Sequence, residues 1–408
     1  MSKIRLFGTS SGYVEIAPAA AASNNTLTAP STVGEIIAKD AAGAIGITSV
    51  KASNVNVGAA VTITESGIEA SGIGITCANI NGAQVGGPRN IIINGAMNIA
   101  QRGTSIAITG SSNVYIADRF FTENNHDGAW TFTQSSTVPD NKFKNSLKVD
   151  VTTADTSLAS NQYCQVQQRI EAQNLHAVEN FRQPMTFSFW VRSNKTGNYS
   201  FTLQQNDNSN RQMPGQYTIN AANTWEKKII TVPADSSGLV NDDSGIGLIL
   251  TWGLAYGSNY TSGSVATNNA FKAYSSSDFG AGQGVNLLDS TDNEWYLTGV
   301  QLEVGTQATP FEHRNFGDEL ARCQRYYQQY TGVANRIYVQ NVYRVQHPLP
   351  VQMRATPTFT KSYGYSTGLQ TDNTAADTDT LNWDLQYTNA GTGIIDILSG
   401  TLTLDAEL

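Results

Sequence analysis

Residues 90–314 carry a succession of apolar segments of period two, separated by Asn, Asp, Gly and Ser, with no sustained 3.6-residue repeat. That pattern commits the chain to strands joined by turns, because alternate side chains of a strand face opposite ways and only turn residues tolerate the reversals. Strands are expected at 114–116, 130–132, 146–151, 163–170, 184–191, 197–203, 228–232 and 247–252. They lie between an opening at Asn90-Ile91-Ile92-Ile93-Asn94-Gly95 and a close at Trp295-Tyr296-Leu297-Thr298-Gly299-Val300. Roughly ten strands with no credible long helix predict a two-sheet sandwich of jelly-roll type.

The flanks read differently. Ile4-Arg5-Leu6-Phe7, a Gly-Thr-Ser-Ser-Gly turn and Tyr13-Val14-Glu15-Ile16 predict a hairpin. Pro18 and the alanines at 19–22 suit one helical turn or a linker. Strand-like sets follow at 26–28 and 35–37. Over 43–87 aromatics and Pro are absent and thin Ile/Val units recur, among them 44–47, 61–63 and 72–75. Alone, such strands bury too little apolar surface to offset the entropy of ordering. They either stay disordered or intertwine with copies of themselves, rows such as Ile68 and Ile73 meeting on a shared axis; the regular Ile/Val content favours the second.

Beyond residue 314, Leu320, Cys323, Tyr327 and Tyr330 share one face at helical spacing, with Asn315 or Asp318 as cap and an end near Thr331-Gly332. Strands are expected again at 336–339, 349–351, 358–360, 380–383 and 394–397. The expected class is mainly β: an N-terminal attachment segment (1–42), a β stalk (43–89), a central jelly-roll sandwich (90–314) and a small C-terminal α+β or sandwich-like cap (315–408).

Lys and Arg number 25 against 33 acids, for a net charge of −8, so the clustered base of a nucleic-acid footprint is not expected. No run approaches the ~18 apolar residues of a membrane helix, so no membrane insertion is expected. Nor does an apolar stretch of signal-peptide length follow the first basic residues, and the chain is expected to fold in a cytoplasm. Cys77, Cys164 and Cys323 are far apart and lack any CxxC spacing, which predicts three small thiols rather than a disulfide or zinc framework.

Several motifs stand in a familiar order. Asn90-Ile91-Ile92-Ile93-Asn94-Gly95, Gln101-Arg102-Gly103 and Tyr115-Ile116-Ala117-Asp118-Arg119-Phe120 resemble the opening of a jelly-roll module in bacteriophage tail fibres. Phe189-Trp190-Val191-Arg192-Ser193 and Trp225-Glu226-Lys227 resemble its middle, and residues 297–305 and 310–312 its close. Leu320-Ala321-Arg322-Cys323-Gln324-Arg325-Tyr326-Tyr327 is similar to the helix that joins the final domain, and residues 350–357 to the signature after it. The resemblance covers 90 to about 360. It implies a structural virion protein, assembled in the host cytoplasm and acting in the virion. It also implies a homotrimer, docked to phage tail or capsid proteins through its N-terminus, whose carbohydrate-binding-like sandwich meets host surface glycan. A head fibre or capsid decoration protein is the alternative of the same class, and a polysaccharide-depolymerising tailspike the enzymatic one.

Sugar rings stack on exposed aromatic faces beside amides and carboxylates. Trp252, Tyr256 and Tyr260, at a strand end and in a Gly/Ser/Asn-rich loop, are one candidate cluster; Trp130, following His126-Asp127-Gly128, is the other. Trp130 and Trp252 have a competing reading as core residues, which leaves Tyr256 and Tyr260 as the stronger candidates. Trp190, Trp225 and Trp295 are expected in the core. No resident cofactor is expected. A structural calcium would draw on Asp242, Asp243, Asp289, Asp292 or Glu303, whose ordinary reading, outside any EF-hand spacing, is as solvated turn acids. There is no Gly-x-Ser-x-Gly, His-Glu-x-x-His or phosphate-loop motif, and His126, His176, His313 and His347 stand in unrelated contexts, so no enzyme is expected.

Overall fold

The computed structural model describes residues 89–408 except 179–180, 208–209, 239, 341, 363–368 and 388–391. Before residue 89 it describes the short strands Ile4–Phe7, Tyr13–Ile16, Asn56–Val57, Val61–Thr64, Gly67–Ala70, Asn79–Ile80 and Ala83–Gln84. The strands expected at 26–28, 35–37, 44–47 and 72–75, with Ile73 and Cys77, lie outside the described residues. Residues Met1–Thr76 and Cys77–Leu408 form two separate units. In the first, Leu6 pairs with Val14 in the N-terminal hairpin, and Ile63 pairs with Ile68 in a three-stranded antiparallel meander.

The protein is mainly β, and its second unit is built on two antiparallel sheets. One has seven strands in the order Lys272–Ala273, Arg211–Ile219, Gly197–Gln205, Ile246–Tyr256, Tyr163–Glu171, Phe120–Asn125, Val114–Tyr115. The other has six, in the order Glu226–Val232, Met185–Ser193, Glu294–Val304, Ser146–Thr153, Ala129–Ser135, Ser105–Thr109. Period-two alternation turns Phe187, Phe189 and Val191 of the six-stranded sheet inward, against Phe201, Trp252 and Tyr217 of the seven-stranded one. Ring centroids 5.6 Å apart for Phe187–Trp252 and 5.2 Å for Phe189–Tyr217 mark the seam of a β sandwich.

All eight interior strands expected by number are present. Arg211–Ile219, absent from the expectation, contains Pro214, which removes a ladder donor. Its outer neighbour, Lys272–Ala273, pairs only as far as Gln212, so Pro214 stands on what is locally an edge.

The motifs that open and close the module act as a brace. The Asn90 side chain donates to Val300 O (3.0 Å) and accepts from the amides of Ile92 and Leu302. Asn94, at φ +60°, donates to Ile99 O and Asp118 O. Gly95 lies so close to the closing strand that a Cβ would sit 2.1 Å from Val300 O, which only glycine tolerates.

The helix expected to run to Thr331 instead covers Phe316–Gln324 and ends at Arg325. Tyr327 and Tyr330 belong to the following strand, Tyr327–Gln340, which pairs with Thr392–Asp405. Asn315 occupies the N-cap position without a side-chain cap bond. Residues 349–351 are not a strand either: the preceding ladder ends at Pro348, opposite Thr380, and Pro350 has no N–H with which to extend it. The expected strands at 336–339, 358–360, 380–383 and 394–397 are present.

Candidate functional site

The outward face of the seven-stranded sheet holds a groove of about 420 Å³. Along Tyr163–Glu171, Cys164, Val166 and Ile170 point into the core, so Tyr163, Gln165, Gln167 and Arg169 point out. Gln165 lies opposite Glu123 on one neighbouring strand and Gly253 on the other. The segment after Tyr256 folds back over this face through the short Ser258–Thr261 helix and brings Tyr260, Tyr274 and Phe279 to the rim. Asp278 pins that segment, accepting from Ser264 N and Gln212 Nε2 (2.8 Å each) and pairing with Lys272.

The floor is a continuous polar chain. Glu123 Oε2 accepts from both Gln165 Nε2 (2.8 Å) and Gln167 Nε2 (3.0 Å), and the Tyr256 hydroxyl donates to Gln165 Oε1. Gly253 makes room for this arrangement, since a Cβ there would meet the Tyr256 ring at 2.3 Å. Gln167 is 95% withdrawn from solvent, yet its Oε1 has no hydrogen-bond partner among the described residues; it is an acceptor held at the groove. Arg169 donates to Leu408 O (2.7 Å) and lies over the Phe121 ring, which fixes its guanidinium at the groove's end.

The phenols are donors at neutral pH. Burial, reinforced by the Glu123 charge, pushes Tyr163 up to about 12, and burial also raises Tyr256, Tyr260 and Tyr274. Tyr260 stands edge-on to Tyr163 at 5.2 Å and tilted against Tyr256 at 5.9 Å. The site therefore offers half-buried aromatic faces above a row of amides and one carboxylate.

Of the four residues expected to contact ligand, the structure brings two to this groove. Tyr260 is half-buried at the rim, and Tyr256 is 8% exposed and lies beneath it with its hydroxyl on Gln165. Trp130 and Trp252 are corrections. Both are 0% exposed in the seam between the sheets, because their strand positions have inward parity, and no ligand ring can reach them. His126, beside Trp130, is buried as well. Sequence reasoning missed Glu123, Tyr163, Gln165, Gln167 and Tyr274. The legible signal was Tyr163-x-Gln165-x-Gln167-x-Arg169, a polar row alternating with an apolar one on a central strand.

Four of the five acids considered for calcium have their carboxylates engaged by protein partners. Asp242 pairs with His176, Asp243 accepts from Gly245 N, Asp289 pairs with Lys195, and Glu303 accepts from Gln301 and Thr309. The Asp292 amide donates to Ser290 Oγ. Among the described residues no three His, Cys, Asp or Glu side chains converge as a metal would require.

No protein-family profile matches the chain, and no curated protein matches it in sequence. Among solved structures, the enzymatically active domain of tailspike protein 4 from bacteriophage CBA120 aligns over 53% of this chain and 21% of its own, at 10% identity and a TM-score of 0.27. This chain thus spans about a fifth of that tailspike domain's length. A family 11 carbohydrate-binding module from Clostridium thermocellum, solved with a mixed-linked tetrasaccharide, aligns over 51% of this chain and 98% of its own, at 11% identity and a TM-score of 0.25. TmCBM61, solved with β-1,4-galactotriose, aligns over 54% and 100%, at 8% identity and a TM-score of 0.24.

Proposed function

We propose that this protein is a virion fibre that binds host cell-surface glycan through the groove on its seven-stranded sheet. The observation that carries the binding reading is the combination of half-buried Tyr163 and Tyr260 with the hydrogen-bonded Glu123–Gln165–Gln167 floor. Aromatic faces take the apolar side of a pyranose and amides take its hydroxyls. The groove lining contains a single carboxylate, Glu123, whereas hydrolysis by acid and base needs two; this favours binding over cleavage. The order of motifs from Asn90 to Thr356 supports the fibre assignment. In this reading residues 1–42 dock to tail or capsid proteins, residues 43–89 form the stalk, and three copies combine weak sites by avidity.

The test is binding of purified lipopolysaccharides and capsular polysaccharides from a panel of bacteria, measured by biolayer interferometry. Tyr260→Ala is expected to weaken binding about tenfold per site, while Tyr260→Phe retains most of it. Equal binding by the unaltered protein, Tyr260→Ala and Gln167→Ala would remove the groove from the reading. Light scattering tests assembly separately. A mass near three times 43.8 kDa is the expected result, and a stable monomer would sink the trimer.

A further inference from the structure

The opposite side of the sandwich has a pocket of its own. On Met185–Ser193 the core takes Phe187, Phe189 and Val191, which turns Ser188 and Trp190 to the outer face of the six-stranded sheet. There they line a pocket of about 230 Å³ with Phe143, Phe311 and His313. Its floor is Gly299, at φ +60°, where a Cβ would lie 2.9 Å from both the Phe143 ring and the Trp190 ring. Phe143 tilts against Phe311 (5.2 Å) and His313 (5.4 Å), so the wall is a packed aromatic cluster, with Trp190 half-exposed beside it.

The lining also includes Lys142 and Lys227, both exposed and neither with an ion-pair partner among the described residues. Asp140, the acid in the lining, accepts from the Lys142 amide at 2.8 Å. An aromatic wall next to two unpaired ammonium groups complements a ligand with an apolar ring face and an anionic substituent. The groove on the other sheet, by contrast, presents Glu123.

We propose that this pocket binds an acidic sugar residue, its ring against Trp190 and its carboxylate at Lys142 and Lys227. The site is independent of the groove and its ligand.

The experiment is titration calorimetry of the full-length protein with trigalacturonate, and with the same trisaccharide after its carboxyls are reduced to alcohols. The expected result is saturable trigalacturonate binding that weakens as salt is raised, with no detectable binding of the reduced form. The double variant Lys142→Gln/Lys227→Gln, altered only at exposed side chains, is expected to lose about tenfold or more. Trp190→Ala is expected to lose binding as well, and Tyr260→Ala to keep it, which separates this pocket from the groove. Absence of saturable trigalacturonate binding would overturn the proposal, as would unchanged affinity in the double lysine variant. Tighter binding of glucose 6-phosphate than of trigalacturonate would overturn the carboxylate assignment.

Discussion

Trp252→Ala is expected to lower the unfolding free energy of the sandwich by about 3–5 kcal/mol. The Trp252 ring is 0% exposed and packs against Phe120 (6.2 Å) of its own sheet and against Phe187 (5.6 Å) and Phe189 (5.8 Å) of the other. Truncation removes apolar contacts on both sides of the seam and leaves a cavity that close-packed strands cannot collapse into. Since whole domains are stable by only about 5–15 kcal/mol, the loss is a large fraction of the total. Urea unfolding followed by near-UV circular dichroism measures it. A loss under about 1 kcal/mol would mean that the indole is not the seam residue described here. Glycan binding per folded molecule is expected to stay unchanged, which separates this tryptophan from the tyrosines of the groove.

The second large effect is expected at the far end of the chain. Glu407, 4% exposed at its side chain, pairs with Arg119, 2% exposed, and lies 3.3 Å from Arg102 Nη1. The Arg119 guanidinium also stacks 3.5 Å over the Tyr326 ring, and Arg102 pairs with Asp405 at 3.1 Å. Glu407→Ala deletes the carboxylate and leaves a guanidinium buried without its counter-charge, a change expected to cost about 3–5 kcal/mol. The double variant Arg119→Met/Glu407→Met is expected to recover most of that loss, because neither charge then remains to be desolvated. Urea midpoints of the three proteins decide the matter. Equal losses in the single and double variants would show that the packing, and not the unpaired charge, carries the effect.

This network gives a physical meaning to motifs that carried the resemblance in the sequence. Gln101 donates from its backbone to Asp118 (2.8 Å) and from its side chain to Tyr327 O (2.9 Å), while Arg102 and Arg119 hold Asp405 and Glu407. Arg325 and Tyr326 together engage Glu171 on the sandwich (2.8 and 2.7 Å). Residues at 101–119, 171, 325–327 and 405–407 therefore form one clamp between the module and the segment that follows it.

By itself the sequence determined the class and placement of most strands. Alternation of side chains is a local property, and Asn94-Gly95 or Gly299 mark where the backbone must take positive φ or make a close approach. Where both parities of a strand are apolar, as along Ile246–Tyr256, local pattern could not say which one faces the partner sheet, since that depends on what lies across the seam. Trp252 was buried by Phe187 and Phe189, more than sixty residues earlier in the chain, while Tyr260 was turned to the groove by the loop pinned at Asp278. Tertiary structure also ended the C-terminal helix. Leu320, Cys323, Tyr327 and Tyr330 satisfy a helical repeat, but from Tyr327 onward the backbone pairs with Thr392–Asp405. A ladder to a strand so distant in sequence outweighs a local preference of a few tenths of a kcal/mol per residue, and no window of neighbouring residues contains it.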